Sequence, residues 1–167
     1  GDFCITPAFL SDNLFDSSVI KLFNESDYNI VNLECPITRD NSKNKILKTG
    51  PHLRCDERIL NHLNDLKINA VTLANNHILD YGEQGLIDTF HALEKNNIDR
   101  VGAGNNLIEA SQPFTIEKEG LKIAILNFCE HEWSIAEKNK AGANPLDIID
   151  NVKQIQTAKA THDKVIC

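Results

Sequence analysis

Strand-like and helix-like segments alternate along almost the whole of this 167-residue chain, and that rhythm narrows the fold before any single residue is considered. Phe15, Val19, Leu22 and Phe23 fall on one helical face, with Ser11 or Asp12 as N-cap. Residues 30–34 (IVNLE) read as a short strand ending in polar side chains. A second helix, capped by Asp56, carries Ile59, Leu60, Leu63 and Leu66, and residues 70–74 (AVTLA) form the next strand. A third helix presents Leu86, Ile87, Phe90 and Leu93 and leads into a strand near Arg100 and Val101. Residues 114–117 and 122–128 pair as a hairpin turning at Glu119-Gly120. Ile148, Ile149, Val152 and Ile155 predict a last helix, and residues 164–167 a last strand. Strands alternating with helices imply an α/β fold, a mainly parallel sheet with helices on both faces.

Charge and cysteine usage exclude some functions. A net charge of −7 argues against nucleic acid as partner, because phosphate contacts need a basic face. No run approaches the roughly 20 apolar residues of a membrane span. The five cysteines, Cys4, Cys35, Cys55, Cys129 and Cys167, are odd in number and contain no CxxC pair, which fits neither a disulfide framework nor a zinc finger. Unpaired thiols lean toward a reducing, cytoplasmic compartment. With no methionine anywhere, Gly1 is expected to be a boundary inside a longer protein.

Residues 35–55 break the alternation. Against Asp40 they set Arg39, Lys43, Lys45, Lys48 and Arg54, a local charge of +4. Such a segment is either an anion-binding loop or a solvated one.

In open α/β sheets ligands collect at the carboxyl ends of the strands. Asp2 stands where a first strand would finish, Asn32 and Glu34 end the second, and Asn75, Asn76 and His77 end the third, with Asp80 following. If these strands are neighbours, Asp2, Glu34, Asn76 and His77 converge. Carboxylate and amide oxygens with one imidazole suit a hard divalent cation, Mn²⁺ or Mg²⁺, better than a thiolate-loving metal. His77 would then suit a general acid.

These strings resemble, in order, the signatures of the CapA-like poly-gamma-glutamate capsule biosynthesis family. Gly1-Asp2 comes first, then Asn32-Leu33-Glu34-Cys35-Pro36-Ile37-Thr38, then Asn75-Asn76-His77-Ile78-Leu79-Asp80-Tyr81-Gly82. Gly102-Ala103-Gly104-Asn105, Glu109-Ala110 and Pro113 continue the match. The resemblance implies one domain over residues 1–167, truncated at both ends and related to the calcineurin-like metallophosphoesterases. It implies a role in making, releasing or anchoring a polyglutamate or capsule polymer. Asp2, Glu34 and Asn76 would bind metal, and His77 would be the catalytic acid. Arg54, with Asn32 and Asn75, would contact an anionic polymer or phosphoester substrate. Capsule-synthesis proteins would be partners, and the family allows a membrane-anchored extracellular location. Where the first metallophosphoesterase motif has a histidine, this chain has Cys4, which implies an altered metal site. A non-catalytic polymer-binding or assembly role is the alternative.

Several residues invite plainer readings. Gly102 and Gly104 fit a tight strand-to-helix turn better than a phosphate cradle. His52, His62, His91 and His162 read as surface residues. Glu130-His131-Glu132 follows a strand and reads as an ordinary polar loop that could instead reach the crevice. Cys4 reads as a small buried hydrophobe or a ligand.

Overall fold

A computed structural model describes residues 1–5, 11, 14–39 and 42–167. They divide into two compact units, one formed by Gly1–Thr72 and His77–Asp99, the other by Leu73–Asn76 and Arg100–Cys167. Asp12 and Asp40, named above, lie outside the described residues.

The first unit is built on strands β1 (Asp2–Phe3), β2 (Ile30–Leu33) and β3 (Ala70–Thr72). They pair in parallel, with Asp2 opposite Asn32 and Asn32 opposite Thr72. Strand β4 (Asp99–Val101) completes a four-stranded sheet of order β1-β2-β3-β4. Helices α1 (Ser17–Asn24), α2 (Ile59–Asp65) and α3 (Gly82–Lys95) flank it. The fold is thus the α/β arrangement that the alternation predicts.

The apolar positions of α2 and α3 behave as their spacing demands. Ile59, Leu63, Leu86 and Leu93 are fully buried, as are Leu33, Ile37 and Val71. Each such side chain contributes roughly 1.5–3 kcal/mol. Helix α1 differs, since Val19 and Leu22 remain exposed and no residue of it is buried. Its start is set by Asp16, which accepts from the Ser18 N–H at 2.8 Å. Asp56 does not cap α2 directly. It accepts from the Arg58 N–H at 3.1 Å and from Arg58 Nε at 2.9 Å, and Arg58 takes the cap position without a side-chain capping bond.

Buried Asn29 ties three pieces of this unit together. Its amide donates to Phe23 O, Leu66 O and Lys67 O, at 2.9, 3.2 and 3.2 Å, while its N–H donates to the Asn69 side chain. Those carbonyls close α1 and α2, whose ends would otherwise leave acceptors unpaired.

In the second unit β6 (Phe114–Lys118) and β7 (Leu121–Ile125) form the expected hairpin, and β9 (Lys164–Ile166) joins β7 in parallel. The turn needs left-handed backbone at both central positions, φ 52° at Glu119 and 80° at Gly120. Strands β5 (Ala103–Gly104) and β8 (Gly142–Ala143) pair antiparallel. Asn106 caps the short helix α4 (Leu107–Ala110) through a 3.0 Å bond from Glu109 N–H, so the Gly-Ala-Gly segment is a strand-to-helix turn. Gly102, at φ 92°, has room for no Cβ: one would stand 2.3 Å from Asn127 Oδ1.

Helix α5 (Ile148–Thr161) exists where expected but buries a different face. Asn151 and Ala158 are its buried residues, whereas Ile148 is 81% exposed and Ile149 69%. Ala158 packs with Ala124 and Leu126, joined by Phe128, Ile155 and Val165. Asn151 Nδ2 donates to Pro145 O at 3.1 Å, so a hydrogen bond orients the helix start where hydrophobic spacing would have turned it otherwise.

Candidate functional site

Parallel register brings the first unit's polar residues into a row. Asn32 Nδ2 donates to Asp2 Oδ1 at 2.7 Å, and Thr72 Oγ1 donates to Asn32 Oδ1 at 3.2 Å. Asn32 therefore bridges Asp2 to the third strand. Glu34 lies just past β2, its N–H donating to Phe3 O at 3.3 Å. Its carboxyl titrates above the ordinary carboxylate range, first because it is partly buried, then because Asp2 is close. Cys4 adds to that shift and His77 opposes it, which puts these charges within electrostatic reach of Glu34.

His77 opens a tight turn in which Asp80 N–H donates to His77 O at 2.9 Å and Gly82 N–H to Leu79 O at 2.7 Å. Gly82, at φ 64°, takes the left-handed conformation that ends this turn, with Asn44 O beside it. The turn brings His77 Nδ1 to 2.8 Å from Asp80 Oδ2. Asp80 is fully buried and forms an ion pair with Lys48, itself 2% exposed at its side chain. Leu53 N–H donates to Asp80 Oδ2 at 2.7 Å, and Ile46 N–H to Asp80 O at 3.2 Å. Lys48 Nζ also stands 3.2 Å from His77 Nδ1. Asp80 Oδ2 can accept a proton from Nδ1, whereas Lys48 Nζ can only donate to that nitrogen, so the two contacts favour opposite tautomers of His77.

The basic segment is thereby anchored. Lys48 is spent on Asp80, Lys45 lies over the Tyr81 ring at 5.4 Å, and Arg54 Nη1 donates to Thr38 O at 3.3 Å. His52 Nε2 meets Ile46 O at 2.8 Å. Asp80 holds the segment through Lys48 and the Ile46 and Leu53 N–H groups, while Arg39, Lys43 and Lys45 are exposed.

Asn75 and Asn76 belong to the second unit. Asn75 is buried, with its N–H donating to Leu73 O at 3.0 Å. Asn76 O accepts from buried Ser134 Oγ at 2.8 Å. Asn127 Oδ1 accepts from Ala74 N–H at 2.7 Å, and fully buried Asn144 donates to Asn127 O and to Gln154 Oε1. Glu130, His131 and Glu132 are exposed in this unit. His162 Nε2 lies 2.9 Å from Thr115 Oγ1. His62 is buried, not superficial as its isolation in sequence implied: it meets the Phe15 ring edge-on and lies 3.7 Å from Asp65.

Sequence reasoning missed two features. One is the role of Asp80, whose signal was its place three residues after His77 on a turn. The other is a thiol cluster. Cys35 Sγ lies 3.1 Å from Cys4 Sγ and 2.6 Å from Cys55 Sγ. Cys4 is held well below the ordinary thiol range, at about 3, by hydrogen bonds from Cys35 and then Cys55. Cys4 and Cys35 each follow a strand end, and that was the available signal. Among the described residues, these three thiols are also the His, Cys, Asp and Glu donors close enough together to surround one ion.

A parallel four-stranded sheet flanked by helices makes this an α/β protein, an arrangement consistent with the metallophosphoesterase-like fold. Sequence comparison then gives the family: residues 7–167 match the model of the bacterial capsule synthesis protein PGA_cap, and the chain belongs to that family. It is 33% identical over 159 residues to the PGA biosynthesis protein CapA of Bacillus subtilis (strain 168), covering 93% of this chain and 41% of that protein. It is 31% identical over 137 residues to the capsule biosynthesis protein CapA of Bacillus anthracis, 80% of this chain and 33% of that one. Over 85 residues, 51% of this chain and 22% of the relative, it is 39% identical to a Mycobacterium tuberculosis protein named "Probable polyglutamine synthesis accessory protein". The chain thus spans well under half the length of these relatives. Among the described residues no helix is long and apolar enough to cross a membrane.

Proposed function

We propose that this chain is the strand-end half of a hydrolase-type site in a poly-gamma-glutamate or capsule synthesis protein, acting on a phosphoester or amide bond of an anionic substrate. The supporting observation is the His77–Asp80 pair, an imidazole oriented by a buried carboxylate at 2.8 Å. Such a pair is the usual means of positioning a general acid or base. Asp80 is also paired with Lys48, and its hydrogen bond to His77 Nδ1 would orient the ring when it carries a proton for the leaving group. His77 Nε2 would give that proton to the leaving oxygen or nitrogen.

Asp2 and Glu34 would be the oxygen donors for a divalent ion of the Mn²⁺ or Mg²⁺ type. The two carboxylates suit a hard cation: partial burial and then the nearby Asp2 raise the titration of Glu34, and a cation would offset both effects. When bound, the ion would polarise the scissile oxygen and lower the pKa of an attacking water. Asn32 orients Asp2 through the 2.7 Å bond. Arg54 offers a guanidinium to an anionic group, and Asn75 a further polar contact. The name of the mycobacterial relative supports proteins of a polymer-synthesis system as partners.

The second reading, a non-catalytic polymer-binding or assembly component, draws on the thiols: Cys4 stands where a metal-binding histidine was expected, and the three-donor set is sulfur. Metal content and the cleavage of phosphodiester and polyglutamate substrates by the full-length protein and His77→Ala separate the two. The hydrolase reading expects at least about 100-fold slower cleavage for His77→Ala. Activity unchanged by that substitution, or none in the metal-loaded wild type, leaves the assembly role.

A further inference from the structure

We propose that Cys4, Cys35 and Cys55 form a binding site for one soft divalent cation of the zinc type, held by three thiolates with a fourth position open. The proposal is independent of whether the protein hydrolyses anything.

Three backbone segments bring the sulfurs together and fix them there. Glu34 N–H donates to Phe3 O at 3.3 Å, which ties the end of β1, before Cys4, to the end of β2, before Cys35. Cys55 N–H donates to Pro36 O at 2.8 Å and Thr38 N–H to Cys55 O at 3.2 Å, forming a bridge between residues 37 and 55. The sulfurs therefore meet through tertiary pairing across a sequence separation of 31 and 20 residues, not through a local CxxC turn.

All three sulfurs lie within 4.8 Å of one another. Zinc–thiolate bonds of about 2.3 Å allow two ligands of one ion to stand at most roughly 4.6 Å apart, and about 3.8 Å in a tetrahedron. The triangle meets that limit with side-chain adjustments of the order of an ångström. A disulfide would engage two of the sulfurs and leave the third pressed against the pair, whereas one ion engages all three. Cys35 and Cys55 are fully buried and Cys4 is half-buried, so the open position faces the Cys4 side. Structural zinc sites are closed by four protein ligands, and three ligands with an open position are the pattern that admits water or an exogenous donor.

Sulfur also decides which ion enters. Thiolates select zinc over Mn²⁺ and Mg²⁺. On binding, the protons still carried by the thiols leave to solvent as three sulfur–metal bonds form, with no change of oxidation state.

Cobalt(II) titration of the reduced chain under anaerobic conditions is the test. A thiolate-to-cobalt charge-transfer band saturating at one equivalent is expected, with visible bands of tetrahedral strength. Zinc should bleach them and Mn²⁺ in excess should not. Cys4→Ser, chosen because Cys4 is half-buried, should weaken cobalt binding by more than the about 10–100-fold typical of losing an outer-shell partner. Cys129→Ser and Cys167→Ser should leave it unchanged. Zinc should also raise the melting temperature of the wild type but not of Cys4→Ser. An absent band, a band untouched by Cys4→Ser, displacement by Mn²⁺, or a Cys35–Cys55 disulfide in protein prepared without oxidant would each overturn the proposal.

Discussion

The eight-residue string 75–82 is held in two different ways. Its first two residues sit in the second unit, where Ser134 and the Asn127–Asn144 network grip the strand end with neutral hydrogen bonds of 2.7 to 3.1 Å. From His77 onward the string belongs to the first unit, where a buried ion pair between Asp80 and Lys48 gathers the basic segment around the imidazole. Neutral anchors tolerate the loss of one partner at modest cost. A buried ion pair does not, because the survivor is left charged in a place water cannot reach. The His77 imidazole is therefore placed by the less forgiving device.

Five substitutions probe this contrast by equilibrium unfolding. Asp80→Ala should have the largest effect, about 3–5 kcal/mol of destabilisation, since Lys48 is stranded and Leu53 N–H loses its acceptor. Adding Lys48→Met should recover much of that loss. No recovery would mean that the ion pair is incidental.

Gly102→Ala, in the neutral half, should cost about 1–2 kcal/mol for the left-handed backbone alone. The 2.3 Å approach of a Cβ to Asn127 Oδ1 adds to it and disturbs the grip on Ala74. Ser134→Ala should cost about 1 kcal/mol, one hydrogen bond to the Asn76 carbonyl. A loss as large as that of Asp80→Ala would erase the distinction between the two halves.

Glu34→Gln should have the smallest effect, and it is a matter of sign. Burial and Asp2 raise the folded-state pKa of Glu34 above its ordinary 4.5, so its protonated form favours the folded state. That contribution is present at low pH and is lost as pH rises from about 4.5 through the raised value. Wild-type stability should fall relative to Glu34→Gln over that window and run parallel above it. The opposite slope would mean that a cation already neutralises Glu34.

Much of the first unit was legible in sequence because its helices obey one rule. Ile59, Leu60, Leu63 and Leu66 are spaced for a single buried face, and nothing competes with that burial. The hairpin was legible because Gly120 accepts the left-handed backbone that its turn needs. Helix α5 was legible in extent but not in orientation, because Asn151 anchors its start by a hydrogen bond that periodicity does not register. Of the site, the places of Glu34 and His77 after β2 and β3 followed from the alternation, whereas Asp2 lies within β1 and not after its end. The partners of Lys48 and the meeting of Cys4, Cys35 and Cys55 did not, since tertiary pairing across 20 to 31 residues leaves no local spacing to read.

The account turns on His77 being oriented by Asp80, with its Nδ1–H facing the carboxylate. Nitrogen-15 NMR of the imidazoles in wild type and Asp80→Asn measures this directly. A protonated Nδ1 for His77 in the wild type, lost or redistributed between the ring nitrogens in Asp80→Asn, is the predicted result. A neutral ring carrying its proton on Nε2 in the wild type, or one indifferent to the Asp80 substitution, would contradict it.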